Sequence, residues 1–334
     1  MGRIVTGLVL GVDGGASKTV AIVADRTGRV LGTGRSGNAD IYQTPDAETH
    51  VAAAIAQALT AAGAKASDLN SATLSLVGAD WPEDFDHWRT VIKHTGIDTA
   101  QTMVVNDAIG ALWAGAPAGP AVAVVLGTGC AVGARGPDGR IWHSSFWQRT
   151  QGGAELATRA LDAVYLAALG LGPTTTLTNA ALHRFGALDV KDLLHRLTGR
   201  HQPRTVLIAT FARAVLDAAA AGDPVAVTLV TEQGTAIAGY ARAAAARVGI
   251  TAQARLVLAG GICRHPARLM PHCVELGLAR VVPHLVLVDN PPEPVAGAVL
   301  IALSQAGTVI NDDVQARVQA TLPTDAYFAT AVEV

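Results

Sequence analysis

Charge is scarce in this sequence, and so are aromatic residues and cysteines. Only 16% of the 334 residues are Asp, Glu, Lys or Arg, and they balance to a formal charge of −2. With no block of like charges, nothing in the electrostatics selects a nucleic acid or a membrane surface, and a small molecule is the expected partner. Cys130, Cys263 and Cys273 make an odd count with no CxxC pair, which argues against a disulfide framework and a zinc site and suits a reducing cytoplasm. The chain also lacks an uncharged run that is both long enough to cross a bilayer and free of breakers. Its longest uncharged stretch, 108–134, holds Pro117, Pro120 and six glycines, so it reads as a helix, a turn and a strand rather than a membrane span. The opening MGRIVTGLVLGVD reaches Asp13 too soon for a signal peptide and reads as a first strand.

What is present is alanine and valine. Half the residues are hydrophobic, a composition that suits helices packed closely on sheets. The length suits two lobes, because single cores stop growing at roughly 250–300 residues. Residues 4–12, 19–24 and VLGTG at 30–34 predict a meander of three strands, with no helix after its glycine-rich turn. A helix over 46–63, strands over 73–80 and 102–107 and a helix continuing through 111–115 follow. The segment AVAVVLGTGCAVGARGPDGRIW at 121–142 then repeats the opening plan. Beyond it the pattern predicts helices near 153–169, 205–221 and 224–248, a strand at 254–261, an apolar strand at 280–288 and a helix at 294–305. Two similar α/β lobes follow, with a hinge near 115–120 and a ligand cleft between them.

GVDGGASKT is not a Walker loop, since it lacks the glycine before Lys18 and a strand rather than a helix follows. Its backbone N–H groups from Gly14 to Ser17 could still make a concave anion site, helped by the Ser17 and Thr19 hydroxyls and by Lys18. Asp13 would repel a bare phosphate, but fits if Mg²⁺ lies between. The bland alternative is an ordinary tight hairpin. Its echo, LGTGCAVG at 126–133, would face it across the cleft, so that Gly14, Gly15, Gly127, Thr128 and Gly129 grip one polyphosphate from both sides. The turn AGGICRHP offers Gly260 and Gly261 as bare backbone for a base or ribose, or is a plain strand-to-helix turn. Asp107 stands where a strand meets a helix and is either an N-cap or a general base aimed into the cleft. Asn38 serves turn geometry or a sugar hydroxyl.

With GVDGGASKT, GADWPED, VVNDAIGA, VVLGTGCAVG, LVLAGG and PVAGAVLIAL in order from about residue 8 to 305, the sequence resembles the actin-like sugar-kinase superfamily. Within it the motifs are similar to those of the N-acetylglucosamine kinases and BadF/BadG/BcrA/BcrD-type ATPases. The resemblance implies two actin-like (ribonuclease H-like) lobes, each a mixed five-stranded sheet flanked by helices, with ATP and substrate in the interlobe cleft. It places the N-terminal lobe over 1–115 and the C-terminal lobe over 116–334, whose terminal segment can pack back on the first. It implies ATP and Mg²⁺, with Asp13 on the metal side, Ser17, Lys18, Thr19 and the glycine loops on the phosphates, Gly260 and Gly261 at adenosine, and Asp107 as base. The implied acceptor is O6 of an amino sugar, touched by Asn38, Asp107, Cys130, Thr150 and Gln151, in a cytoplasmic homodimer.

One wall departs from the family pattern. Where relatives carry an acidic segment that helps hold the sugar, this chain has Arg149-Thr150-Gln151-Gly152-Gly153, and Cys130-Ala131 replaces the usual Ser-Asn. A charged hydrogen bond to a hydroxyl is worth about 1.5–3 kcal/mol, enough to switch preference between related sugars. Two rivals share the fold: a catalytically weak sugar-binding sensor, and the iron–sulfur ATPase activator of 2-hydroxyacyl-CoA dehydratases. The second needs two well-placed cysteines after the second phosphate loop, where only Cys130 lies.

Overall fold

The computed structural model describes residues 7–147, 151–200, 205–279, 282 and 284–329. The first sheet contains β1 (Leu8–Gly14), β2 (Thr19–Ala24), β3 (Val30–Ser36), β4 (Leu69–Leu76) and β5 (Thr102–Asn106), in the order 3-2-1-4-5. The second contains β6 (Ala121–Leu126), β7 (Cys130–Arg135), β8 (Ile141–His143), β9 (Ala254–Ala259) and β10 (Leu285–Leu287), in the order 10-9-6-7-8. Each begins as an antiparallel meander and adds two parallel strands on the far side of its first strand. The two sheets are thus one plan used twice, and the expected pair of mixed five-stranded sheets is present. β1 and β6 are central, paired on both edges and almost wholly buried, which explains their unbroken apolar runs.

The helices are α1 (Ala47–Ala62), α2 (Pro82–His94), α3 (Asp107–Gly115), α4 (Gly153–Ala168), α5 (Leu177–Phe185), α6 (Val190–Thr198), α7 (Thr205–Ala209), α8 (Ala212–Ala220), α9 (Pro224–Arg247), α10 (Leu269–Ala279), α11 (Pro294–Gln305), α12 (Asp312–Thr321) and α13 (Asp325–Phe328). In α1, Val51, Ala54, Ile55 and Ala58 recur at helical spacing and are buried. That face lies so close to β3 that a Cβ at Gly34 would sit 2.0 Å from the Ala54 carbonyl oxygen. Helices α4 to α10 supply the larger core on the second sheet. Among the described residues no single helix is long and apolar enough to cross a membrane.

Two helices change sides. α3 follows β5 of the first sheet but packs on the second, with Ala111 and Leu112 against Ala121, Ala123 and Val257. α11 follows β10 of the second sheet but packs on the first, with Val295 and Val299 against Val9, Val20 and Ile22. They cross where a Cβ on Gly297 would lie 1.8 Å from the Gly110 carbonyl oxygen. Arg135 fixes the intervening turn, its Nε donating to Gly119 O (2.8 Å) and its Nη2 to Ala116 O (2.5 Å).

Several local expectations need correction. Residues 4–6 of the strand expected over 4–12 lie outside the described residues, and β1 runs on past 12 through Asp13 and Gly14, because both residues pair with β2 and β4. The strand expected over 280–288 is only three residues long, pairing with the edge of β9, and 280, 281 and 283 lie outside the described residues. The helix expected over 205–221 is two, separated at Thr210–Phe211. α2 escaped the sequence reading because only Trp88, Val91 and Ile92 of its apolar face are buried, beneath an otherwise polar surface.

Candidate active site

The loop after β1 closes as a tight turn, with Gly15 N–H donating to Lys18 O (2.8 Å). Gly14 is demanded by packing: a Cβ there would stand 2.5 Å from Leu76 Cδ2 and 2.7 Å from Ala39 Cβ. Gly15 has no such crowding. In the matching loop after β6, Gly127 N–H donates to Gly129 O (3.1 Å), and the loop rests on the start of α4 through Gly153 N–H to Gly127 O (2.8 Å) and Ala154 N–H to Thr128 O (3.0 Å). The two loops touch, Ser17 Oγ lying 2.8 Å from Thr128 Oγ1. The third loop is joined to the second by Ile262 N–H to Leu126 O (3.2 Å). Gly260 there has φ +93° and its Cβ would meet Leu126 O at 2.4 Å, so only glycine fits, whereas Gly127 and Gly261 border open space.

Four charges join these loops. Lys18 Nζ is 4.0 Å from Glu293, and Arg264 Nη1 bonds the same carboxylate. Burial lowers the Lys18 pKa, while Glu293 and Asp13 oppose that shift. Lys18 also donates to the Phe328 carbonyl and lies 5.5 Å over that ring, so its cation is partly engaged by the C-terminal segment. Burial pushes the Asp13 carboxyl up to about 7, with Glu293 adding to the shift and Lys18 and Arg264 opposing it. Thr19 is fully buried, and its hydroxyl donates to Gly37 O (2.8 Å).

Asp107 opens α3 but does not cap it. The cap is Asn106, whose Oδ1 accepts the Ala108 N–H at 3.1 Å. Relieved of that duty, the Asp107 carboxyl is pushed up to about 7, chiefly by burial and then by the charges of Asp13 and Asp80, against the Ala108 N–H. Asn106 Nδ2 donates to Asp80 Oδ1 (2.8 Å), which stands 3.8 Å from His143 Nδ1 of the second lobe. Asp80, His143, Glu293 and Arg264 were not singled out in the sequence. Asp80 lies within GADWPED, Arg264 lies within AGGICRHP and Glu293 immediately precedes PVAGAVLIAL, so a place in or beside a motif is the signal that could have found these three.

The acceptor wall is less uniform. The Asn38 side chain is occupied locally, its Oδ1 accepting from Asp40 N–H (2.7 Å). Cys130 packs against the second-lobe core, within electrostatic reach of Cys263, whose buried thiol is pushed up to about 12. Gln151 is held through its backbone carbonyl, which accepts from Gln233 Nε2 (2.5 Å). Thr150 lies outside the described residues.

The donor set suits a magnesium nucleotide. Bare backbone at Gly127 and Gly261 borders open space, Gly15 is uncrowded, and a cation beside Asp13 would offset the burial that disfavours its charge. Among the described residues no group of three or more His, Cys, Asp or Glu could hold a metal. Mg²⁺ held chiefly by phosphate and water needs only one or two carboxylates.

The fold recurs in solved structures of low identity. A candidate N-acetylglucosamine kinase from Chromobacterium violaceum superposes with a TM-score of 0.68 at 23% identity, covering 90% of this chain and all of that one. A second candidate, from Porphyromonas gingivalis, gives 0.66 at 18%, covering 89% and 98%. A ROK family glucokinase from Streptomyces griseus, solved with glucose and AMPPNP, gives 0.58 at 18%, covering 89% and 98%. No curated protein matches the sequence. The sequence matches a family model over residues 10–302, and the chain belongs to the BadF/BadG/BcrA/BcrD ATPase family.

Proposed function

We propose that the protein is an ATP- and Mg²⁺-dependent carbohydrate kinase, transferring a phosphoryl group to a hydroxyl, O6, of an amino sugar such as N-acetylglucosamine or glucosamine. Asp107 carries the reading. It is a carboxyl at the head of a helix, with a pKa near 7, close to both Asp13 and Asp80. A base poised there accepts a hydroxyl proton at neutral pH without being too weak to do so. Gly15, Ser17, Lys18, Gly127 and Thr128 would hold the phosphates, Gly260 and Gly261 the adenosine, and Asp13 the metal. Bound Mg²⁺ supplies charge neutralisation on the phosphate oxygens. Asp80 and His143 would orient the acceptor beside Asp107, and Asn38, Cys130, Thr150 and Gln151 would complete the sugar wall.

The lobes take opposite shares of this work. The first supplies the base and the metal side, and the second supplies the adenosine loop. Their closure excludes water, which limits hydrolysis of ATP. The resemblance further supports a cytoplasmic homodimer. The test is ADP release across N-acetylglucosamine, glucosamine, N-acetylmuramic acid, glucose and cyclitols. We expect stimulation by an amino sugar and its loss in Asp107→Asn. ATP binding with no transfer to any acceptor would replace this reading with that of a sensor.

A further inference from the structure

Four aromatic side chains are exposed among the described residues, Tyr42, Trp81, Phe146 and Trp147. The first three form one rim: Phe146 meets Tyr42 edge-on at 5.4 Å and lies nearly parallel to Trp81 at 6.1 Å. Their relative exposures are 54% for Tyr42, 43% for Trp81 and 58% for Phe146. Tyr42 and Trp81 belong to segments around the first sheet, while Phe146 follows β8 of the second, so the rim bridges the two lobes. An exposed apolar patch with a polar edge marks a binding surface more often than a structural accident.

This rim is wired to the candidate base. Tyr42 Oη donates to Asp84 Oδ1 (2.9 Å). Asp84 Oδ2 accepts the N–H groups of Trp81 (2.7 Å) and Asp80 (3.0 Å), and Asp80 accepts from Asn106, the neighbour of Asp107. The inner edge is therefore polar, with Asp80 and His143, and the outer part is aromatic and uncharged. A sugar ring whose hydroxyl meets Asp107 would take the polar edge. Covering the stacked faces beyond it requires a second ring, and the apolar C–H face of a pyranose or an aryl group packs well on an aromatic surface.

We infer that Tyr42, Trp81 and Phe146 form an outer acceptor subsite, and that the acceptor is a glycoside whose second ring presents an apolar face to them. The inference rests on the kinase reading for the identity of the first ring. The test is calorimetric binding to Asp107→Asn of N-acetylglucosamine, its β-linked disaccharide and its p-nitrophenyl glycoside, beside ADP release by the unaltered enzyme. A two-ring ligand is expected to bind about tenfold tighter than the monosaccharide, a typical worth for aromatic packing. Trp81→Ala and Phe146→Ala, added singly, should bring that ratio near one, and Phe146→Trp should keep it. A preference for the disaccharide assigns the outer ring to a sugar, and a preference for the aryl glycoside assigns it to an aglycone. A ratio near one in the parent, or one that survives both alanine substitutions, overturns the subsite while leaving monosaccharide turnover to support the kinase reading. Absence of binding and turnover with every ligand overturns both.

Discussion

At the scale of the residue, the informative groups are acids held where charge is disfavoured. Asp107 must lose its proton to act as a base, so acceptor-dependent kcat/KM should rise with pH up to about 7 and then level, which a pH–rate profile will check. The same shift has a stability consequence of opposite sense. The folded state holds this proton more tightly than the unfolded chain, where the carboxyl has its ordinary value of 3.8. The contribution of this one group to stability is therefore complete below pH 3.8 and is lost as pH rises toward 7. In the ligand-free protein, Asp107→Asn should leave the melting temperature nearly unchanged at pH 4 and raise it by several degrees at pH 8, with the gain levelling above about 7. A melting series across pH that showed a constant difference would contradict the burial of this charge. Asp107 was legible in the sequence as a site residue because it ends a strand and begins a helix. Its release from capping was not, since Asn106 and Asp107 are equally good caps on paper and only the backbone angles choose between them.

At the scale of the element, glycines separate into those the packing demands and those it leaves open. Gly297→Ala would drive a methyl into the Gly110 carbonyl and the Ala114 N–H, 1.8 and 2.6 Å away, with backbone on both sides. Neither α3 nor α11 can give way without shifting a lobe, so this change should cost about 2–3 kcal/mol or more in urea unfolding. Gly239 of α9 meets nothing within 4 Å, and Gly239→Ala should stabilise by about 0.5–1 kcal/mol, because alanine is the better helix former. The sequence shows the same residue at both positions. Its two opposite costs arise from which helix crosses which, a relation between segments far apart in the chain. The polar helix α2 was missed for a related reason, since it carries too few periodic apolar residues to stand out, and the strand expected over 280–288 pairs only at Leu285–Leu287 because the length of β10 is set by its neighbour β9.

At the scale of the whole molecule, the end of the chain returns to its beginning. Val314, Val318 and Phe328 join the core beneath β1 and β2, and Arg35 donates to the carbonyls of Tyr327 and Ala329. Lys18 contacts Phe328 in the same place. Phe328→Ala should therefore cost about 3 kcal/mol, the usual penalty for emptying a buried aromatic site. It should also raise the KM for ATP measurably, because Lys18 loses the ring and segment that hold it. A variant destabilised with an unchanged KM would detach this segment from the nucleotide side.

The sequence by itself determined the two meanders, their glycine turns, the two-lobed plan and the position of Asp107, because each is written in short-range order: β-branched runs, turn residues and spacing. It could not say that α3 and α11 exchange lobes, that Ser17 meets Thr128, that Glu293 links Lys18 to Arg264, or that Tyr42, Trp81 and Phe146 share one rim. Those pairings join residues far apart in the chain. They exist only once both sheets have closed on their cores and the lobes have been set against each other.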